Sequence, residues 1–232
     1  MYFTETVGLL ELEQLMRIVP NFSPRGGGVT ILQKHRYTAA DCDCALCLYH
    51  IGRDSNARCR LEHCICFRER LAAGAVSQKE ILLEALSAIR YPPFAKRLRQ
   101  YIQESEGNDI TYRNKTHQNI FKAAIQNKNQ KDKALMAVLY LLTADYTLWS
   151  SVKPKLHGNK PNFTAWKLGV LHPNGYALFC AVKDLYYGTK HISLADLADA
   201  EVISQEVFRL ICNAAAIRKF GVQVLENGSG DI

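Results

Sequence analysis

The sequence reads as a mainly α-helical protein, with a small N-terminal zinc-binding cysteine module followed by a multi-helix bundle that carries one long basic loop. Three observations carry that expectation. Six of the eight cysteines (Cys42, Cys44, Cys47, Cys59, Cys64 and Cys66) fall within 25 residues, and thiols at C-x-x-C spacing can converge on one cation. Most of the later chain repeats apolar residues at three- and four-residue steps, the period of a helix that buries one face. Residues 134–149 are apolar on nearly all sides, as suits a helix at the centre of a bundle.

Taken in order, Leu9, Leu12, Leu15, Met16 and Val19 predict a short amphipathic helix stopped at Pro20. With the flexible linker that carries Pro24 and Gly26, Gly27 and Gly28, it makes an N-terminal unit over residues 1–36. Those glycines are no phosphate cradle, because no Gly-Lys-Ser/Thr follows. The cysteine module occupies 37–75, and the helical body 76–225. Ser77 and Glu80 open the body as a capping box, each side chain satisfying the other's exposed amide. Ile81, Leu82, Ala85, Leu86 and Ile89 form one face of that helix, which Pro92 and Pro93 end.

Pro93 fits the first turn of the next helix, with Phe94, Leu98, Tyr101 and Ile102 inward and Lys96, Arg97 and Arg99 outward. A turn with a short strand at 110–112 follows, then a helix from Thr116 to about residue 127. The core helix spans 134–149. Residues 150–175, rich in Pro, Gly, Asn and Lys, read as the long basic loop, with a brief strand over 163–168. Helices are expected at 176–187, stopped by Gly188, at 194–200, and at 204–219 with Gly221 beyond. Residues 226–232 have little to bury and are expected to be a disordered tail.

Composition sets the outer bounds. With 48% apolar and 22% charged residues the chain is an ordinary globular one, neither collagen-like nor wholly disordered. No apolar run approaches the ~20 residues needed to span a bilayer, so no membrane association is expected. The first 19 residues carry Glu5, Glu11 and Glu13 and no basic leader, which is unlike a secretory signal. Together with the thiol cluster this predicts a cytoplasmic protein, where grouped cysteines serve metals more often than disulfides. The net charge of +7 is unevenly placed: residues 90–167 hold 14 Lys or Arg against five Asp or Glu. That excess predicts an anionic partner or a solvated basic face.

Zinc requires four deprotonated ligands in a closed tetrahedron, and Cys44, Cys47 and Cys59 with Cys64 or Cys66 can supply them. Cys42, His50 and His63 are further candidates. An iron–sulfur cluster would also accept four cysteines, but zinc is the expected ion. The module is too short and polar to fold on a core of its own, so the metal would hold it together. A catalytic zinc keeps an open position beside a general base, yet Glu62 is the one carboxylate on the cysteine-rich turn and the deaminase pattern is absent. The expected zinc is therefore structural. Elsewhere His35, His117, His157, His172 and His191 are scattered, with no nucleophile elbow, H-E-x-x-H or paired carboxylates to join them, and no enzymatic activity is expected.

Two other patterns point to binding. Residues 194–211 resemble a helix-turn-helix, with Ala198 at the small-residue position, Ile203, Phe208 and Ile211 between the helices, and Val202 in place of the usual turn glycine. Its groove-facing candidates are Gln205, Glu206 and Arg209, although the helix continues through an apolar 211–217 that fits an ordinary helical hairpin. The basic stretches containing Lys96, Arg97 and Arg99, Lys131 and Lys133, and Lys153 and Lys155 are interleaved with Tyr101, Trp149, Phe163 and Trp166. Such a mixture can grip phosphates and stack bases.

Residues 36–41, Cys44 and Cys47 with Leu48 and Tyr49, 59–66, 139–149 and 176–221 resemble a cysteine-motif protein family carried on conjugative and other mobile elements of gut-dwelling Gram-positive bacteria. The likeness covers nearly the whole chain beyond about residue 12. It implies Cys44, Cys47, Cys59 and Cys64 as metal ligands with Cys66 close by, and leaves Cys42 as an addition of this chain. It brings no activity with it. Cargo of such elements counters host defence or regulates the element. The expected function is accordingly that of a non-catalytic accessory protein binding a protein or nucleoprotein target, such as an inhibitor of a CRISPR nuclease. The alternative is a DNA-binding regulator using residues 194–219.

Overall fold

The computed structural model describes residues 40, 42, 44, 47, 59–104, 111–156, 161–163, 166, 169 and 171–228. The chain divides into two units, Met1–Arg36 and Tyr37–Ile232, and the described residues all belong to the second. The helix and linker expected over 1–36, together with His50 and His157, lie outside them. Every element described is helical, and no strand occurs among the described residues. Where a strand was expected at 110–112, Thr111 and Tyr112 form a bend; Phe163 sits in a 3-10 turn, and Ile110 and most of 164–168 lie outside the described residues.

A 3-10 turn at Leu61–His63 leads into helix α1 (Phe67–Ala72). Helix α2 (Gln78–Ala85) starts at the expected capping box: the Glu80 amide donates to Ser77 Oγ at 3.2 Å and the Ser77 amide to Glu80 Oε2 at 2.8 Å. Phe94, Leu98, Tyr101 and Ile102 of α3 (Pro92–Glu104) are buried, as their spacing demands. Arg97, expected outward, is buried at 7% exposure. It is drawn in by carbonyls at the end of a later helix that nothing nearby in sequence could reveal. Helix α4 (Lys115–Ile125) is capped by Asn114, whose Oδ1 accepts from the His117 amide at 2.9 Å, and buries His117 and Phe121.

The long core helix is in fact two helices, α5 (Lys133–Thr143) and α6 (Tyr146–Val152). Asp145 adopts an extended backbone and its Oδ1 accepts from the Leu148 amide at 2.8 Å, so it ends one helix and caps the next. Leu135 through Thr143 are all buried, which places α5 at the centre. Helix α7 (Pro173–Tyr187) packs on one side of it, and α9 (Gln205–Phe220) on another, after the short α8 (Leu194–Ala198). α9 runs antiparallel to α5: Lys133 Nζ reaches the Lys219 carbonyl at 2.9 Å, Asn213 meets Tyr140, and Arg113 joins Ala144 to Glu206 at the far end.

Glycines stop the helices where expected. Gly188 closes α7 at φ 71°, a left-handed conformation that side chains with a Cβ resist. Beyond Gly221, the 3-10 turn Val222–Gly228 packs against α1 and buries Val224 and Leu225. The basic loop is anchored by Phe163, fully buried with its ring 4.7 Å from Trp166, 5.1 Å from Tyr186 and 5.8 Å from Tyr187. Among the described residues no helix is long and apolar enough to cross a membrane.

Candidate functional site

Cys64 and Cys66 lie in the turn that opens α1. Phe67 packs at a tilt against Phe220 with ring centroids 5.5 Å apart, and Leu71 is almost wholly buried, so α1 is fixed to the body. The turn into α1 is tight: the Phe67 amide donates to the Cys64 carbonyl at 3.2 Å, and the Arg70 amide to that of Cys66 at 2.9 Å. Earlier in the chain, the Cys47 amide donates to the Cys44 carbonyl at 3.3 Å. The Cys66 and Cys47 thiols are hydrogen-bonded to each other. Desolvation, together with the neighbouring Cys47, Cys64 and Glu69, pushes the Cys66 thiol up from its ordinary value.

Arg70, only 5% exposed, points its Nη1 at Cys64 Sγ, 3.5 Å away. Burial works against its charge, but the Cys64 hydrogen bond and the charges of Cys44, Cys64 and Glu80 outweigh that and raise its pKa. All six cysteines of the module are free thiols of intermediate exposure, Cys42 and Cys59 included. Among the described residues, no group of three or more His, Cys, Asp or Glu is arranged to hold a metal ion. A set of soft thiols beside a buried cation nonetheless has the chemistry that zinc prefers. His63 lies 3.5 Å from Glu62, which also meets Lys219 at 3.3 Å.

The basic residues do not act together. Lys96 and Arg99 are exposed on α3, but Arg97 between them is spent inside: its guanidinium donates to the carbonyls of Leu197 (2.9 Å), Asp199 (2.8 Å) and Ile203 (2.5 Å) and stacks 4.4 Å over Phe208. Lys131 and Lys133 are exposed at the start of α5, beside Lys219. Phe208 and Lys219 lie eleven residues apart on α9, about 17 Å along its axis, so the two groups mark opposite ends of that helix. Lys153 and Lys155 are exposed in the 3-10 turn after α6. Of the aromatics proposed to stack bases, Tyr101 and Phe163 are buried, and Trp149 and Trp166 pack against the core.

The helix-turn-helix candidate behaves as a packed hairpin. Ten of the sixteen residues of α9 are buried. Glu206 is bound to Arg113 at 2.9 Å, while Arg209 reaches back to the Tyr112 carbonyl at 3.5 Å with its Nε buried and without a hydrogen-bond partner. Arg209 is therefore no groove-facing residue. Gln205 alone of the three is exposed.

The described histidines of the body are also tied. His117 Nδ1 accepts from the Arg113 amide at 3.0 Å and its Nε2 bonds the Tyr140 carbonyl at 2.9 Å; burial first of all lowers its pKa to about 4. His172 Nδ1 accepts from the Gly175 amide, which turns its Nε2 proton to Asp145 at 2.8 Å. His191 pairs with Asp184 at 2.8 Å. Desolvation opposes ionisation of Asp184, yet the amides of His191 and Ile192 hold its pKa below the usual carboxylate range. An apolar pocket of about 190 Å³ between Leu86, Phe94, Leu197 and Cys212 has this already satisfied carboxylate at its wall.

One feature escaped the sequence. Tyr146 and Tyr176 are 73% and 61% exposed, and they flank the Asp145–His172 bond where α6 and α7 begin. Each stands in the first turn of its helix, where no local signal marks a tyrosine as outward. Asp145, 3% exposed, fixes the junction through Leu148, His172 and Arg113, the last at 3.7 Å. Comparison of the chain with protein-family models, curated proteins and solved structures finds no match.

Proposed function

We propose that this protein is a non-catalytic, zinc-stabilised helical binder acting in the cytoplasm on a protein or nucleoprotein target. The observation that carries the reading is the Tyr146 and Tyr176 pair, exposed on helix ends that the part-buried Asp145–His172 hydrogen bond ties together. Aromatic rings mounted rigidly at a surface are the groups that anchor protein interfaces, since they cover much area and lose little freedom on docking. The enclosure of His117, 2% exposed with both ring nitrogens bonded inside the protein, supports binding over turnover at that residue, because a substrate has no access to it.

Zinc enters through Cys44, Cys47, Cys59, Cys64 and Cys66, where it would cross-link the module onto α1 and supply folding energy but no reaction. The resemblance to mobile-element proteins supports an anti-defence role, inhibition of a CRISPR nuclease being the specific form. Exposed Lys96, Arg99, Lys131 and Lys153 would then steer the protein toward an acidic target face or a bound nucleic acid. Burial of α9 weighs against the DNA-binding regulator.

The test is plasmid interference in cells with an active CRISPR nuclease. Wild-type protein is expected to let a targeted plasmid persist, and a Tyr146→Ala, Tyr176→Ala double variant to lose at least tenfold of that protection. The variant's urea midpoint should match the wild type, because both rings are exposed. Failure of the wild type to protect against any nuclease tried overturns the anti-defence role, and full protection by the double variant overturns the tyrosine surface.

A further inference from the structure

We infer that the pocket walled by the end of α2 and by α3, α7, α8 and α9 is a binding site for a small uncharged molecule that is mostly hydrocarbon, a single aromatic ring or a chain of about six to eight carbons. The inference is independent of the zinc reading and of the Tyr146 and Tyr176 surface.

The pocket has a floor and a rim. Leu86, just beyond α2, Phe94 of α3 and Cys212 of α9 are buried and close its inner end. Leu185 of α7, Ile192 and Leu197 of α8 are half-buried around its opening, and Thr189 is the exposed one among the described residues that line it. Walls from so many elements make it a hollow in the packing of the bundle and not an uncovered helix face. Its volume of about 190 Å³ is several times the ~30 Å³ share of one water, and close-packed interiors leave few voids larger than a single water.

The polar atoms of the wall decide what fits. Among the described residues that line it, Asp184 alone is charged, and its carboxylate is spent. Oδ1 accepts from the Thr189 hydroxyl at 2.8 Å and from the His191 amide at 2.9 Å, and Oδ2 from the Ile192 amide at 2.9 Å. The ring Nδ1 of His191 lies 2.8 Å from the same carboxylate. With these groups committed to one another, water in the hollow finds few of the about two to four partners it needs, whereas an apolar molecule gains contacts with the walls. A charged ligand would lose its hydration and meet no free counter-charge, and an anion would face Asp184. Size then sets the class, since an apolar cavity of ~150 Å³ takes one benzene ring. A bound molecule would join the 188–192 turn and α8 to the core by contact, beside the Arg97 bonds that already hold the end of α8.

The test uses the full-length protein with toluene, 1-hexanol and benzoate as probes. Toluene and 1-hexanol at 1 mM should each raise the melting temperature by about 3 °C, while benzoate, a ring of similar size with a full charge, should leave it unchanged. Cys212 on the pocket floor gives a second readout: toluene should slow its N-ethylmaleimide labelling at least fivefold, followed by peptide mass spectrometry. Ala215→Leu, which adds side chain to the pocket wall from α9, should keep the urea midpoint and lose the toluene shift. Absence of a shift with both apolar probes overturns the site, as does a toluene shift that persists in the folded Ala215→Leu protein. Should that variant fail to fold, Cys212 labelling in the wild type that toluene does not slow overturns it alone. A benzoate shift as large as that of toluene overturns the exclusion of charge.

Discussion

His117 shows how a residue of catalytic type is consumed by structure. Its ring is 2% exposed, both nitrogens are bonded, and Tyr112, Phe121 and Tyr140 surround it. With a folded-state pKa of about 4 against 6.5 for the free side chain, the unfolded chain binds the proton first as pH falls. The stabilising contribution is therefore complete above pH 6.5 and drains away on acidification toward pH 4, by about 3 kcal/mol. Urea unfolding at pH 7 and pH 4.5 should show this slope in the wild type and much less of it in His117→Gln. An unchanged slope in the variant would assign the acid sensitivity to other groups. Asp145 is the second such case: a lone carboxylate in an apolar stretch reads as a satisfied polar group, and here it caps α6 and holds His172.

At the scale of elements, α3, α8 and the start of α9 are joined by a single side chain. Arg97 reaches from α3 to three carbonyls at the end of α8 and the turn beyond it, and lies on the ring of Phe208. Carbonyls at a helix end have no partner within the helix, so the guanidinium fork satisfies what the five-residue α8 cannot. Arg97→Ala removes a buried guanidinium and leaves the buried Ile203 carbonyl without this donor, and should cost about 3 kcal/mol in urea denaturation. Arg97→Lys keeps the charge but not the fork, and should recover about half of the loss. A neutral Arg97→Ala substitution would mean that the α8 turn is held by packing alone. The break between α5 and α6 has a similar origin, because an aspartate with an amide three residues ahead offers the backbone an end as readily as a continuation.

Within residues 37–232, most of the buried core comes from α2 through α9, with Phe67 and Leu71 the contribution of α1, so loss of the proposed metal should leave most of the fold intact. Chelation of the zinc-loaded protein is expected to make residues 59–66 accessible to protease while the far-UV helical signal falls by less than a fifth. Global unfolding on chelation would place the metal at the centre of stability instead. Much of this architecture was legible in the chain. The Ser77–Glu80 box, the apolar run of α5 and the stops at Gly188 and Gly221 all depend on neighbours within a few residues. The candidate contact surface was less legible: Arg97 turned inward, Arg209 lay down on Tyr112, Tyr101 and Phe163 went into the core, and Tyr146 and Tyr176 were left outside. Helix starts, stops and apolar faces follow from short-range hydrogen bonding and side-chain period, which a linear string contains in full. Which charged or aromatic side chain faces water follows from partners about a hundred residues away, as between Arg97 and Ile203, and those meet only when the helices pack.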